Sequence, residues 1–231
     1  MHRDWAVRIG SDTAASVSNE RPRLLDLFCG AGGASRGLQQ AGFHVTGVDI
    51  NPQPHYCGDA FIQADALDVP LEGYDAYWAS PPCQFATSLL LPDDRAKYPN
   101  HIPTIRQRLR ATGKPYIIEN VSARVLYIPV MLCGQMFGLR VLRHRWFESN
   151  MGLLVPPHER HNGHTSTGDL AAYHTFAKAR YITVAGHAFN LPDGRVAMGI
   201  DWMTRNELAQ AIPPVYAEYI GGALLKAMHR D

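Results

Sequence analysis

The sequence lacks paired cysteines and long apolar runs, and each of these absences excludes a class of protein. Four cysteines occur among 231 residues without a CxxC pair, which disfavours a disulfide framework and favours a reducing, cytoplasmic setting. No stretch of about 18 apolar residues is present, so no membrane-spanning helix is predicted. Residues 1–20 also lack the apolar core of a signal peptide, and we interpret them as a flexible leader.

An excess of charge of one sign is missing as well, because the formal net charge is only +1. Many nucleic-acid binders are strongly basic overall, and this chain is not. A local basic groove could serve instead. The candidate cations for such a groove are Arg95, Lys97, Arg106, Arg108, Arg110 and Lys114. The alternative interpretation of these cations is an ordinary solvated helix face and loop.

The first half of the chain has the pattern of an α/β unit, in which short apolar strands surround a glycine turn and a helix. A chain of this length can bury a sizeable core in one such domain. In chain order, the predicted elements are a strand over residues 23–28, the glycine turn, a helix over 34–41 ended by Gly42, and strands over 43–50, 60–64, 74–79 and 116–118.

The glycine turn reads Gly30-Ala31-Gly32-Gly33. This GxGG pattern differs from GxGxxG and no Lys-Ser/Thr pair follows it, which argues against a P-loop and weakens a dinucleotide interpretation. Asp49 follows the turn at the interval at which a carboxylate meets ribose hydroxyls. Asp65, at the end of the next strand, is a candidate for the adenine edge. We therefore expect an adenosine-containing ligand, with a purely structural turn as the alternative.

A cysteine lies in the loop after the fourth predicted strand, Ala79-Ser80-Pro81-Pro82-Cys83-Gln84. In open α/β sheets, ligands bind at the carboxyl ends of the strands. The residues expected to meet at that edge are Phe28 to Gly33, Asp49, Asp65 and Cys83.

Together these stretches resemble the cytosine-C5 DNA methyltransferase family. The resemblance covers residues 23–148 and 197–225. The stretch from Asp26 to Gly33 is similar to the family's S-adenosylmethionine loop, Pro82-Cys83-Gln84 to its nucleophile motif, Glu119-Asn120-Val121 to its acid motif, Arg143-His144-Arg145 to its Arg-x-Arg motif, and residues 210–221 to its last helix.

The resemblance implies an α/β, Rossmann-like fold of the S-adenosylmethionine-dependent methyltransferases, mostly a parallel sheet with helices on both faces. It also implies a catalytic, cofactor-binding domain over residues 21–148 and a small recognition region over 149–195. A C-terminal segment over 196–231 would pack back on the catalytic domain. Family members that read a defined DNA sequence usually carry a much larger recognition region than this one.

Two residues depart from the family pattern. Val141 stands where the family has Gln before its two arginines, and Gln210 stands where its final motif has Asn. These departures keep open a non-catalytic module that binds the cofactor without turnover.

The resemblance also implies a role for each catalytic residue. Cys83 would add to cytosine C6 and so make C5 nucleophilic toward a sulfonium methyl group. Glu119 would donate to ring N3, which needs a raised pKa that burial could provide. Asn120 would orient the loop. Arg145 would hold the base carbonyl oxygen or a phosphate, and Arg143 beside it would favour the thiolate.

Further site residues are implied on the cofactor and substrate sides. S-adenosylmethionine would contact Phe28, Gly30, Ala31, Gly32, Gly33, Asp49, Ile50, Asp65, Ala66 and Pro82, and the substrate would contact Ser80, Pro81 and Gln84. The segment from Gln84 to Leu91 is either a mobile loop that closes over the pocket or an ordinary packed helix.

Each catalytic candidate also has a structural interpretation. Cys83 would be a buried inert thiol, Glu119 a strand-end salt bridge, and the two arginines surface charge. The sequence does not identify the base that removes the C5 proton.

Three histidines follow one another at three-residue steps, at His158, His161 and His164. Such spacing raises a metal hypothesis. No cysteine is close to them in the sequence, and proline and glycine make the stretch a loop. We therefore predict no metal and favour phosphate contact or a plain surface loop.

The lead functional hypothesis is S-adenosylmethionine-dependent methylation of cytosine C5 in duplex DNA with a flipped base, at a short or relaxed target. The alternative is the same chemistry on a free cytosine nucleotide, which the near-neutral charge and the small recognition region favour. A thymidylate-synthase-like enzyme and RNA as substrate rank lower. Neither a membrane nor an obligate protein partner is expected.

Overall fold

A seven-stranded sheet forms the centre of the computed structural model, which describes residues 20–87, 91–161, 165–166 and 181–228. In chain order its strands are β1 Arg23–Leu27, β2 His44–Asp49, β3 Ala60–Gln63, β4 Ala76–Ala79, β5 Tyr116–Asn120, β6 Val130–Leu132 and β7 Arg145–Ser149. The helices are α1 Gly33–Ala41, α2 Pro92–Arg95, α3 Ile102–Ala111, α4 Leu191–Met198, α5 Arg205–Gln210 and α6 Pro214–Met228, and a two-stranded sheet pairs β8 Thr165–Ser166 with β9 Tyr181–Ile182.

The order of the strands in the large sheet is β3-β2-β1-β4-β5-β7-β6. The strands from β3 to β5 in this order are parallel, whereas β7 runs antiparallel to both of its neighbours. The order reverses between β1 and β4, and such a switch point leaves a crevice at the carboxyl ends of the strands. The predicted α/β, mostly parallel architecture is confirmed, with strand ends that differ by one or two residues from those predicted.

Both faces of the sheet are covered, which explains why β1, β4 and β5 are almost wholly buried and mostly apolar. On one face, Leu38 of α1 and Tyr216 of α6 pack with Trp78 of β4. On the other face, Ile105 of α3 packs with Tyr77 of β4.

The C-terminal helix α6 lies directly against α1. A Cβ atom on Gly37 would collide with the carbonyl of Pro214, so this helix pair requires glycine at that position. A third apolar cluster contains Val141, Phe189 and Met198. Val141, the first departure from the family pattern, is therefore a core residue, only 1% exposed.

Two of the candidate cations on α3 bind groups inside the protein, whereas Arg110 on the same helix is exposed. Arg106 donates to both carboxylate oxygens of Glu148, at 2.7 and 2.6 Å. Arg108 donates to the backbone carbonyls of Ala66 and Val69. Of the predicted leader, residues 1–19 lie outside the described residues. No helix in the part of the chain that the structure describes is long and apolar enough to cross a membrane.

Candidate active site

A cavity of about 1330 Å³ opens at the carboxyl ends of the central strands. Most of the predicted site residues line it: Phe28, Gly30, Ala31, Gly33, Asp49, Ile50, Asp65, Ala66, Ser80, Pro81, Pro82, Cys83, Gln84, Glu119, Arg143 and Arg145. Gly32 and Asn120 are not among the lining residues. The structure therefore brings together motifs that lie more than a hundred residues apart in the sequence.

The glycine turn forms one side of the cavity through an unusual backbone path. Phe28, Gly30 and Gly32 all have positive φ, at 61°, 51° and 86°. For Phe28 this conformation is strained, and such strain commonly occurs at binding sites. Gly32 caps the start of α1, and a Cβ atom on it would press against Cys57 instead of entering the cavity. Gly32 therefore shapes the turn and does not line the site.

Two carboxylates and one apolar side chain line the same side of the cavity. Asp49 accepts hydrogen bonds from the backbone N–H groups of Gly30, at 3.1 Å, and Asn51, at 2.9 Å. Each carboxylate oxygen can accept a further hydrogen bond. Asp65 accepts one hydrogen bond from its own loop, at Leu67 N. Ile50 is 63% exposed and offers the cavity a flat apolar surface.

Asp26 also lines the cavity, although the sequence interpretation assigned it no role. It is fully buried in β1, where Ser35 Oγ donates to its Oδ2 at 2.5 Å. Its Oδ1 has no hydrogen-bond partner among the described residues. Burial raises the pKa of Asp26 to about 7, against the opposing hydrogen bond from Ser35 and with help from Asp49 and Glu119. The signal in the sequence was an acid inside an otherwise apolar strand.

The loop after β4 carries Cys83, which is half-buried. Asn120 Nδ2, at the end of β5, donates to Pro81 O at 3.2 Å, so the loop is held against the neighbouring strand. The backbone N–H groups of Ala86 and Thr87 donate to Cys83 O. Residues 84–87 thus form a single turn and not the start of a packed helix, and residues 88–90 lie outside the described residues.

Glu119 and Arg145 form a buried ion pair in the cavity, with Glu119 Oε1 3.1 Å from Arg145 Nε. The same Oε1 has no aligned hydrogen bond from a described residue, so this contact is close but poorly directed. Burial raises the pKa of Glu119, although Arg145, Arg143 and a hydrogen bond from Ser80 oppose that rise. The carboxyl group therefore keeps its proton to a higher pH than an exposed glutamate does.

The same charged side chains also shift the pKa of the Cys83 thiol. Burial raises its pKa most, the carboxylate of Glu119 raises it further, and Arg145 and then Arg143 lower it. Cys83 is therefore protonated in the free protein at neutral pH. Its proton must leave before the sulfur can act as a nucleophile.

Arg143 has partners that the sequence did not indicate, since its guanidinium is bound to main-chain carbonyls. Its nitrogens donate to Ala211 O at 2.8 Å, Ala209 O at 2.8 Å and Val184 O at 2.5 Å. Its own φ is 37°. The side chain ties the start of β7 to two distant segments, so it positions the wall of the cavity and acts on Cys83 only through its charge.

Those two distant segments form the wall that the sequence interpretation missed. Residues 182–186 and residues 203–212 both contribute to the cavity lining. Gln210, the second departure from the family pattern, is part of this wall. Two cations, Arg95 and Arg124, also line the cavity, and neither had been assigned to it.

A second group of polar side chains lies beside the Arg143-His144-Arg145 run. Cys133 and His144 come close to His158 and His161, so the view that no cysteine lies near these histidines is wrong in three dimensions. His164 lies outside the described residues.

Comparison with known proteins links the chain to methyltransferases. No protein-family model matches it. A 23S rRNA (uracil(747)-C(5))-methyltransferase of Pyrococcus horikoshii is 36% identical over 73 residues, which amount to 27% of this chain and 18% of that protein. The chain thus spans less than a fifth of the length of this relative.

Solved structures match over most of the chain. S. pombe Dnmt2 methyltransferase has a TM-score of 0.59 at 15% identity, and a prophage-encoded E. coli protein described as a DNA modification methyltransferase has 0.58 at 14%. Entamoeba histolytica methyltransferase EhMeth has 0.56 at 12%. Each match covers 91% of this chain and 100% of the other. The fold is the Rossmann-like fold of the S-adenosylmethionine-dependent methyltransferases.

Proposed function

We propose that the protein transfers a methyl group from S-adenosylmethionine to C5 of cytosine in DNA. The observation that carries this proposal is the shared cavity, in which Cys83, Glu119 and Arg145 lie beside the glycine turn and Asp49. A nucleophile, an acid and a nucleotide-type binding turn in one cavity are the parts that methylation of a pyrimidine ring requires.

The residues of the cofactor side fit S-adenosylmethionine. A Cβ atom on Gly30 would meet nothing within 4 Å, so the turn leaves room for a ligand. Asp49 has acceptor capacity for ribose hydroxyls, and the exposed Ile50 offers a surface for the adenine ring. The carboxylate of Asp49 gives this side negative charge, which suits a cationic ligand. When bound, S-adenosylmethionine supplies an electrophilic methyl group on a positively charged sulfur.

Cys83 is the nucleophile in this proposal. Its thiolate adds to cytosine C6 and forms a carbon–sulfur bond, which moves electron density toward C5 and N3. Arg145 favours the thiolate because its charge lowers the pKa of Cys83. After C5 has been methylated, a base removes the C5 proton, the bond between Cys83 and C6 breaks, and the thiolate is regenerated.

Glu119 is the group that makes cytosine a better fit than uracil. Burial raises its pKa, and in its protonated form the carboxyl group can donate a hydrogen bond to a ring acceptor. N3 of cytosine is an acceptor, whereas N3 of uracil carries a hydrogen. The partial relative acts on uracil, and the buried Glu119 with its raised pKa is the feature that favours cytosine for this chain.

DNA is the preferred form of the substrate. The cavity is larger than a typical small-ligand pocket of about 300–1,000 Å³, which leaves room for a flipped nucleotide and its flanking phosphates beside the cofactor. Arg95 and Arg124 in its lining are candidates for those phosphates. The resemblance to a prophage protein described as a DNA modification methyltransferase supports the same substrate.

A free cytosine nucleotide is the second candidate. The net charge of +1 and the inward-bound arginines of α3 favour a small substrate, since both reduce the positive charge available to a long phosphate backbone.

The test compares transfer of tritium from methyl-labelled S-adenosylmethionine to cytosine-containing DNA and to free deoxycytidine nucleotides. We expect label in DNA, loss of label in Cys83→Ala, and a rate that falls steeply as salt rises, because salt competes with phosphate contacts. Label only in the free nucleotide, with little salt dependence, would replace DNA by the second candidate. Stoichiometric cofactor binding without label in either would indicate a non-catalytic module.

A further inference from the structure

Four potential metal ligands from three segments of the chain converge at the edge of the sheet. Cys133 follows β6 and His144 immediately precedes β7, whereas His158 and His161 lie on the stretch that leaves β7. One ligand atom from each side chain lies within 4.8 Å of all the others. Cys133 is fully buried and His158 is exposed, so the cluster runs from the core to the surface.

The distances in this cluster match those of a tetrahedral zinc site. Cys133 Sγ lies 3.4 Å from His161 Nε2, and His158 Nε2 lies 3.4 Å from His144 Nε2 and 2.9 Å from His161 Nε2. Zinc bond lengths place ligand atoms about 3.3 Å apart for two nitrogens and about 3.5 Å apart for nitrogen and sulfur.

The positions of the imidazole rings agree with the same geometry. The centroids of the three rings are 4.8, 4.9 and 5.3 Å apart. Three imidazoles that bind one tetrahedral zinc through Nε2 place their centroids about 5 Å apart. The rings and the ligand atoms therefore point to one common centre.

Hydrogen bonds among the four groups do not account for this convergence. Each imidazole Nε2 offers either one hydrogen or one lone pair. His158 Nε2 nevertheless faces two other Nε2 atoms, and His161 Nε2 faces both His158 and the thiol of Cys133. One divalent ion accepts a lone pair from all four groups at once.

We propose that Cys133, His144, His158 and His161 bind a structural zinc ion. One thiolate and three imidazoles complete a tetrahedral shell, and a shell filled by protein ligands is typical of structural rather than catalytic zinc. The thiol of Cys133 releases its proton to solvent when the zinc–sulfur bond forms.

The position of this site indicates what the zinc would stabilise. It would clip the stretch from residue 150 to residue 161 to the β6–β7 hairpin. His144 also stands between Arg143 and Arg145. The ion would therefore fix the backbone from which Arg145 reaches Glu119 and from which Arg143 holds the cavity wall.

The first test measures metal in untagged, full-length protein purified without chelators. Elemental analysis should find one zinc per chain, and a strong chelator should lower the melting temperature. After zinc has been replaced by cobalt, we expect visible absorption bands of tetrahedral Co²⁺ and a thiolate-to-cobalt charge-transfer band in the near ultraviolet. None of these readouts depends on methyl transfer.

Single variants show which residues hold the metal. His158→Ala removes an exposed ligand, so it should fold while its zinc affinity falls by more than about 100-fold, beyond the usual loss for an outer-shell partner. Cys133→Ser should abolish the charge-transfer band. His187→Ala is a matched control, because His187 is an exposed histidine on a different loop, and it should keep one zinc.

Cys83→Ala should also keep one zinc, which separates this proposal from the proposed function. The proposal is overturned if folded wild-type protein, supplied with zinc and then dialysed, holds no more metal than a His144→Ala/His158→Ala double variant. A cobalt spectrum without the charge-transfer band in wild-type protein would overturn it as well.

Discussion

Glu119 and Glu148 lie on the adjacent strands β5 and β7, and each forms a buried pair with an arginine. The two pairs differ in how well the carboxylate is hydrogen-bonded. Glu148 of β7 accepts two short hydrogen bonds from Arg106 and a third from Tyr127 N. Glu119 of β5 has a poorly directed contact with Arg145 and a hydrogen bond from Ser80. Strand alternation turns the two carboxylates to opposite faces, since Glu148 pairs with Ile118 and Glu119 with Phe147.

The difference shows how one sheet can hold a structural pair and a reactive pair. The carboxylate of Glu148 is satisfied inside the protein by its three hydrogen bonds. Glu119 is left with unused acceptor capacity in a cavity, and burial raises its pKa. The group that is less well stabilised in the free protein is the one that can bind and protonate a substrate.

The largest expected effect is a loss of activity on substitution of Glu119, which is not expected for Glu148. Glu119→Gln should lower methyl transfer by about 10²–10⁴-fold, the usual contribution of a general acid, because the amide cannot deliver a proton. Single-turnover rates under saturating cofactor would measure this. Its melting temperature at pH 8 should equal or exceed that of wild type, since the variant has no buried carboxyl group to ionise.

The second prediction is a loss of stability with little change in activity, the opposite of the result expected for Glu119→Gln. Glu148→Gln should destabilise the protein by about 3–5 kcal/mol, because it leaves the guanidinium of Arg106 buried without a counter-charge. Denaturant unfolding would measure the loss. Activity per folded molecule should change little, and a collapse of activity in the remaining folded fraction would contradict the separation of roles.

The third prediction adds Asp26, a buried carboxyl group with only one side-chain donor. Its pKa rises from an ordinary value of 3.8 to about 7 in the folded protein. The stabilisation that its protonated form provides is complete below pH 3.8 and is lost as pH rises through about 7. Asp26→Asn should therefore raise stability relative to wild type at pH 8.5, by on the order of 4 kcal/mol, and by little at pH 4. An equal effect at both pH values would show that Asp26 does not titrate between them.

The smallest expected effect concerns the thiol of Cys83. Because the carboxylate of Glu119 raises its pKa and Arg145 lowers it, Glu119→Gln should lower that pKa and Arg145→Met should raise it. The pH dependence of alkylation by iodoacetamide reports the thiolate, with Cys83→Ser as the blank. Shifts in the same direction for both variants would show that the two side chains do not act on Cys83 through their charge.

The parts of the fold that sequence reasoning predicted are those with a local signal. Strands β1 to β5 each contain a short apolar run, and Gly42 ends α1 with a positive φ. Cys83 was found from its place after such a run together with the family resemblance, and Glu119 from that resemblance. The shared edge of a parallel sheet then brings these loops together without any further signal in the sequence.

The features of the fold and the site that were not predicted depend on contacts between residues far apart in the sequence. No local pattern indicates such contacts. Arg106 and Arg108 look like solvated cations of a helix until their acceptors, up to 42 residues away, are known. Arg143 lines the same cavity as Cys83, as expected, but the sequence did not show that its nitrogens bind carbonyls 41 to 68 residues away. The Cys133 cluster was missed because its four members come from three separate segments.

The most direct test of the central claim is covalent trapping on DNA that contains 5-fluorocytosine. Fluorine at C5 prevents loss of a proton, so methyl transfer leaves the base attached to Cys83. We predict a protein–DNA complex that survives denaturing electrophoresis, forms only with S-adenosylmethionine, and is absent in Cys83→Ala. An equal yield of complex in Cys83→Ala, or no complex with any duplex that contains 5-fluorocytosine despite bound cofactor, would contradict the account.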